Sequence, residues 1–154
     1  KGLLDIFKLR ALLPLEKYQI TLVGLSQEQL KKLPEGIVGI TRTSNQQELA
    51  KLYSDADVLV NPTYADTFPT VNLEALACGT PVVTYSNTGV KETVDGKCGF
   101  AVENGNPIAA WNAMMEIKAK GKSYYLKACQ LWAKQEFDKY TNYQKYIDLY
   151  KSIV

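Results

Sequence analysis

Apolar positions change their spacing in a regular way along this chain. Residues 1–13 put Leu3, Ile6, Phe7, Leu12 and Leu13 on one broad face and leave Asp5, Lys8 and Arg10 polar, a helical pattern that Pro14 ends. The stretch YQITLVG is almost continuously apolar at Ile20, Leu22 and Val23 and closes on Gly24, which predicts a strand covered on both faces. GIVGITR predicts another. From Ser44 the spacing returns to i, i+3, i+4, i+7 at Leu49, Leu52, Tyr53 and Ala56, with a capping box supplied by Ser44 and Gln47 or by Asn45 and Glu48. VLVNP predicts a strand, residues 71–77 a short helix, and PVVTYS and GFAV two further strands.

The last third reads as helical. Asn106 as N-cap and Pro107 at the first helical position open one helix, with Ile108, Trp111, Met114 and Met115 expected inward. Tyr124, Ala128, Leu131 and Trp132 mark a second helix, and Tyr143, Ile147, Tyr150 and Val154 a third. The tyrosines crowded into this tail fit core or interdomain packing better than a cofactor box. Alternation of apolar strands with helices predicts an α/β fold, a Rossmann-like doubly wound parallel sheet, in which ligands sit beyond the carboxyl ends of the strands. That rule gathers residues 41–43, 61–71 and 86–89 around one crevice. The expected organisation is a single domain over residues 1–154, with 107–154 as its helical C-terminal tail.

Composition narrows the chemistry. A net charge of +2 with no block of like charges gives no electrostatic footprint for nucleic acid or a membrane surface, so an anionic ligand must be small and locally held. Cys78, Cys98 and Cys129 have no metal-ligand spacing and the chain has no histidine, so they are expected to be reduced core residues of a cytoplasmic protein. No apolar run approaches 18 residues, so any membrane association would come through other parts of a longer protein. The chain lacks an initiator Met, and a start within a longer protein is expected. The DAD at Asp55 to Asp57 imitates a metal motif but precedes a strand, so it is taken as a helix end followed by the next strand, with no metal.

The stretch YADTFPTVNLEALACGTPVVTY carries the candidate chemistry. A turn containing Asp66, Thr67, Phe68 and Pro69 leads into a helix whose first N–H groups lack intrahelical partners and carry the positive end of the dipole, a seat for phosphate oxygens. Pro69 has no N–H, which leaves Thr70 and Val71 as donors. Glu74 can accept hydrogen bonds from a vicinal diol such as a ribose, and Asp66 from sugar hydroxyls. Two carboxylates flanking a phosphate seat suit a nucleotide sugar. On residue types alone, a dipole-complementing Glu in the first helical turn and a turn-making Asp account for the same pattern. In ACGTP, Gly79 is expected to end the helix in a left-handed cap, with Pro81 preventing its resumption.

The segment ADVLVNPTYADTFPTVNLEALACGTPVVTYSNTGVKE resembles the donor-site signature of the family 4 retaining glycosyltransferases of the GT-B fold (glycosyl transferases group 1), particularly bacterial surface-polysaccharide enzymes. Its Glu, seven residues, Glu pattern falls on Asp66 and Glu74, the two donor-orienting positions of the catalytic site. The resemblance implies that Glu74 binds the donor ribose, that Asp66 contacts donor sugar hydroxyls, and that the turn of Thr67, Phe68, Pro69, Thr70 and Val71 meets the diphosphate. It implies a phosphate-binding Lys at Lys1, paired with Gly2, and a base seat near Thr43. Hexosyl transfer without metal or other cofactor is implied, with the acceptor held by an N-terminal domain not present here.

Three departures from that pattern stand out. Asp66 is one methylene shorter than the usual Glu. Pro69 replaces what is often Gly. The family's first strand, central in its sheet, and the phosphate-binding Arg on it would precede Lys1, so the chain is expected to form a donor-binding half lacking that strand and to transfer no sugar alone. The last helix is expected to cross toward the absent domain, leaving some of Tyr140, Tyr143, Tyr146 and Tyr150 exposed. Rival readings keep the fold: a phosphorylase or nucleotide-sugar epimerase half, or a non-catalytic interaction domain. A dinucleotide-binding oxidoreductase would need GxGxxG, which is absent.

Overall fold

The computed structural model describes residues 2–153, apart from the side chain of Thr88. Gly2 begins the first helix, α1 (Leu3–Leu12), with φ of 64°, and its backbone lies so close to Pro62 that a Cβ would stand 1.9 Å from the Pro62 carbonyl oxygen. Only glycine meets both conditions. β1 (Ile20–Val23) and β2 (Ile37–Ile40) follow, separated by the single-turn helix α2 (Gln27–Leu30), which Ser26 and Gln29 close with a reciprocal capping box. That turn has no counterpart in the sequence reading, because four residues are too few to carry a period.

α3 (Gln46–Asp55) starts on Asn45, whose side chain accepts from the Glu48 N–H at 2.8 Å. The Glu48 carboxylate reaches the Ser44 N–H at 2.6 Å, one residue before the cap, so the expected box is split between neighbouring residues. β3 (Leu59–Asn61), α4 (Thr70–Ala77) and β4 (Val82–Tyr85) come next, then a 3-10 helix (Thr88–Thr93) and β5 (Gly99–Val102). Gly79, with φ of 78°, ends α4 by turning its own N–H to Leu76 and that of Thr80 to Ala75, both at 2.9 Å. Asp55 closes α3 and Asp57 precedes β3, the placement expected of the DAD segment.

All strand pairs are parallel. β1 pairs with β2 in one sheet, and β4 lies between β3 and β5 in another, with Val82 facing Leu59 on one side and Gly99 on the other. The break falls between β1 and β3, where a doubly wound sheet of order 3-2-1-4-5-6 has its first strand. The expectation of strands covered on both faces holds for β4, buried at all four positions, and fails for β1, where Thr21 and Val23 are exposed. The core accordingly sits on the second sheet: Ala75 and Leu76 of α4, Val82 and Val83 of β4, and Cys98 pack with the tail helices.

Those helices are α5 (Pro107–Lys120), α6 (Lys122–Phe137) and α7 (Lys139–Ile153). Asn106 caps α5 by accepting the Ala109 N–H at 2.9 Å, and Pro107 is its first residue. The inward stripes are displaced from the expected ones. α5 buries Ala110, Ala113 and Ile117 and leaves Ile108 exposed, and α6 buries Tyr125, Cys129 and Ala133 in place of Tyr124 and Leu131. On α5 the small Ala110 and Ala113 turn inward where the helix packs against β4 and β5. α7 buries none of its residues, and Tyr140, Tyr143, Tyr146 and Tyr150 are all exposed. Val154, assigned to the same helix from its spacing, lies outside the described residues. All three cysteines are free, Cys98 and Cys129 buried and Cys78 half-buried. Among the described residues no helix is long and apolar enough to cross a membrane.

Candidate functional site

The carboxyl end of β3 and the turn after it are held from three sides. Gly2 presses on Pro62. Asn87 donates from Nδ2 to the Thr63 carbonyl at 2.6 Å, and Gly89 lies so near that a Cβ there would sit 1.9 Å from the Thr67 carbonyl oxygen. Phe68 meets Phe137 of α6 edge to face with ring centroids 5.6 Å apart. Residues 61–71 and 86–89 therefore converge as the crevice rule requires. Thr43, in the loop between β2 and α3, makes no hydrogen bond to that turn among the described residues. Lys1 lies outside the described residues; Gly2 lies against Pro62, just after β3.

Within the turn, Asp66 does what a turn-making Asp does: its Oδ1 accepts the Phe68 N–H at 3.2 Å. In this structure the Phe68 amide is thus engaged within the turn. Pro69, buried, is the N-cap of α4 and supplies no capping side chain. The amides of Thr70 and Val71 thus open a helix that no side chain caps, and both residues are exposed.

Glu74 stands one turn behind that tip, on the face shared with Thr70. It lies in the second turn, where the dipole exerts little pull, so the dipole-complementing account of this residue loses its geometry. The side chain is exposed, and its Oε2 accepts the Tyr53 phenol at 2.9 Å. Burial first, then this hydrogen bond, raises the Tyr53 phenol well above its ordinary value, so it stays a neutral donor.

Two polar networks behind the rim escaped sequence reasoning. Asn72, fully buried on the inner face of α4, accepts from Asn61 Nδ2 and donates to Thr93 Oγ1, both at 2.8 Å. Thr93 in turn donates to the Val90 carbonyl at 2.7 Å. The network joins β3, α4 and the 3-10 helix. A buried Asn amid apolar neighbours, in VNLEALA, was the available signal.

The second network centres on Asp5, expected to stay on a polar face and found 4% exposed. It accepts the phenols of Tyr64 and Tyr85, the latter at 2.9 Å, and the Lys8 ammonium at 3.0 Å. The Tyr64 hydrogen bond holds the Asp5 carboxyl below its usual range, against a desolvation that pulls upward, with Lys8 and Tyr85 adding to the lowering. Arg10 is buried likewise, donating to the Tyr18 and Leu13 carbonyls. Among the described residues no group of three or more acidic, cysteine or histidine side chains is placed to hold a metal ion.

The chain is similar to known proteins in sequence and in fold. The family described as glycosyl transferases group 1 matches residues 3–135. Among curated relatives, a D-inositol 3-phosphate glycosyltransferase of Arthrobacter sp. (strain FB24) is 42% identical over 73 residues, 47% of this chain and 17% of the relative. One from Streptomyces bingchenggensis (strain BCW-1) is 46% identical over 91 residues, 54% of this chain and 20% of the relative. Sucrose-phosphate synthase from Thermosynechococcus elongatus superposes with a TM-score of 0.84 at 26% identity, over 99% of this chain and 42% of that one. HepE from Anabaena, solved in complex with UDP, does so with a TM-score of 0.82 at 24% identity, over 99% of this chain and 45% of its own. The chain thus spans less than half the length of these proteins. The fold is that of GT-B glycosyltransferases, and by the extent of its match the chain belongs to the glycosyl transferases group 1 family.

Proposed function

We propose that this chain is the nucleotide-sugar-binding half of a retaining glycosyltransferase of family 4, passing a hexosyl group to a glycan or lipid-linked acceptor. The observation that carries the reading is the pairing of an open, uncapped helix tip at Thr70 and Val71 with an exposed carboxylate at Glu74 one turn behind it. The tip amides take the diphosphate and Glu74 takes the ribose diol. Asp66 faces the donor sugar. As the glycosidic bond breaks, negative charge grows on the diphosphate, and amides already aimed at it stabilise that charge without reorganising.

The rest of the reading follows the family. Lys1 adds positive charge beside the diphosphate, Thr43 lies toward the base, and a second domain brings the acceptor. No metal or other cofactor takes part. Bacterial surface-polysaccharide assembly in the cytoplasm is the setting that fits the resemblance best. Alone, the chain transfers no sugar.

Calorimetric titration with UDP, GDP and ADP in turn tests the site, UDP first because HepE was crystallised with it. One diphosphate is expected to bind, and Glu74→Ala to weaken it at least tenfold, the loss of a charge-assisted pair of hydrogen bonds. Binding indifferent to Glu74→Ala, or no binding of any of the three, would sink the proposal.

A further inference from the structure

Glu74 is exposed on a helix, and a free glutamate in that position samples many rotamers. Its carboxylate is held instead by Tyr53, from a helix 21 residues earlier in sequence. The Tyr53 ring packs against the core formed by α4, β4 and the tail helices. The Tyr53 backbone is clamped as well: Thr80, fully buried, donates its hydroxyl to the Tyr53 carbonyl at 2.5 Å, and Lys122 approaches the same carbonyl at 3.5 Å while donating to those of Ser54 and Ala56. With ring and backbone both fixed, the phenol is a donor in one place. It engages Oε2 and leaves Oε1, with the second lone pair of Oε2, open to two neighbouring hydroxyls.

We infer that Tyr53 is a positioning residue for Glu74, locking the carboxylate in the orientation that accepts a vicinal diol, and that Thr80 of the ACGTP turn holds Tyr53 in place for it. The inference rests on the donor-site reading above. Locking the acceptor beforehand removes the rotamer entropy that binding would otherwise cost. It also ties the ACGTP turn, whose Gly and Pro only stop a helix, to the ligand through Thr80.

The test is Tyr53→Phe, which deletes one hydroxyl and leaves the ring to pack. UDP and 2′,3′-dideoxy-UDP are titrated against the chain and its variant, with thermal unfolding as control. UDP affinity is expected to fall about threefold to tenfold, the worth of one oriented hydrogen bond. Affinity for the dideoxy analogue, which offers Glu74 no hydroxyl, is expected to stay unchanged, so that selectivity for the diol drops by the same factor. Thr80→Val is expected to reproduce a smaller loss of selectivity.

Equal weakening of both ligands would mean a general structural role and overturn the inference. So would unchanged UDP affinity in Tyr53→Phe where Glu74→Ala has lost it, with the donor site left standing. If the unaltered chain binds no nucleoside diphosphate, the donor-site reading itself falls first.

Discussion

Replacing Asn72 by leucine strips the amide from the junction of β3, α4 and the 3-10 helix while keeping most of the side-chain volume. Asn61 Nδ2 then loses its acceptor; because Asn61 is half-buried, water replaces part of it, and the cost is about 1–2 kcal/mol. Thr93 Oγ1 loses a donor but keeps its own bond to the Val90 carbonyl, a cost of about 0.5–1 kcal/mol. The sum, about 1.5–3 kcal/mol, is a sizeable fraction of a domain's stability and lowers the midpoint by about 4–10 °C for a chain of this size. Urea unfolding of Asn72→Leu, Asn61→Ala and the double variant measures it. The double variant should be less destabilised than the two singles added, by about 1 kcal/mol, because each single orphans the same bond. A loss below 0.5 kcal/mol in Asn72→Leu, or a coupling indistinguishable from zero, would refute the claim that this network fixes α4 at the rim.

Two further outcomes follow from the geometry. Gly2→Ala combines a left-handed backbone with a Cβ against the Pro62 carbonyl, so a loss of about 2–4 kcal/mol is expected in thermal unfolding; an unchanged midpoint would mean that the start of α1 is not pinned to β3. Asp5→Asn should be less stable than the parent by a margin that depends on pH. A carboxyl whose pKa is lowered by folding, here by Tyr64 first, stabilises the fold above its unfolded value of 3.8 and loses that contribution as pH falls through the lower folded value. The margin between parent and variant is therefore constant above about pH 5 and closes in acid; a margin independent of pH in denaturation at pH 2–7 would mean that Asp5 is not ionised in the fold.

Local chemistry made much of this chain legible. Asn106 with Pro107, Gly79, and the switches between runs of apolar residues and helical spacing act over a few neighbours, and the structure places caps and strands where they indicate. The DTFPTVNLE turn and helix could be read as a phosphate seat for the same reason, since a helix start advertises its unpaired amides whatever surrounds it. What periodicity leaves open is phase. Spacing says which residues of α6 share a face, and only the close approach of α4 decides that Tyr125, Cys129 and Ala133 turn inward in place of Tyr124 and Leu131.

Distance in sequence hides the remainder. Asp5 looks like a solvated acid until Tyr64 and Tyr85 arrive from 59 and 80 residues away to bury it. Glu74 likewise could be chosen from its own neighbours, but the phenol that aims it comes from α3, and the hydroxyl that steadies that phenol comes from the turn beyond α4. Such partners carry no local mark, because a hydrogen bond between distant residues depends on where the backbone brings them. Residue types and spacing determined that this chain is an α/β fold of parallel strands with a helix starting, without a side-chain cap, at Thr70; folding in three dimensions decided which distant side chains meet around that helix, because their contacts depend on where the backbone carries them.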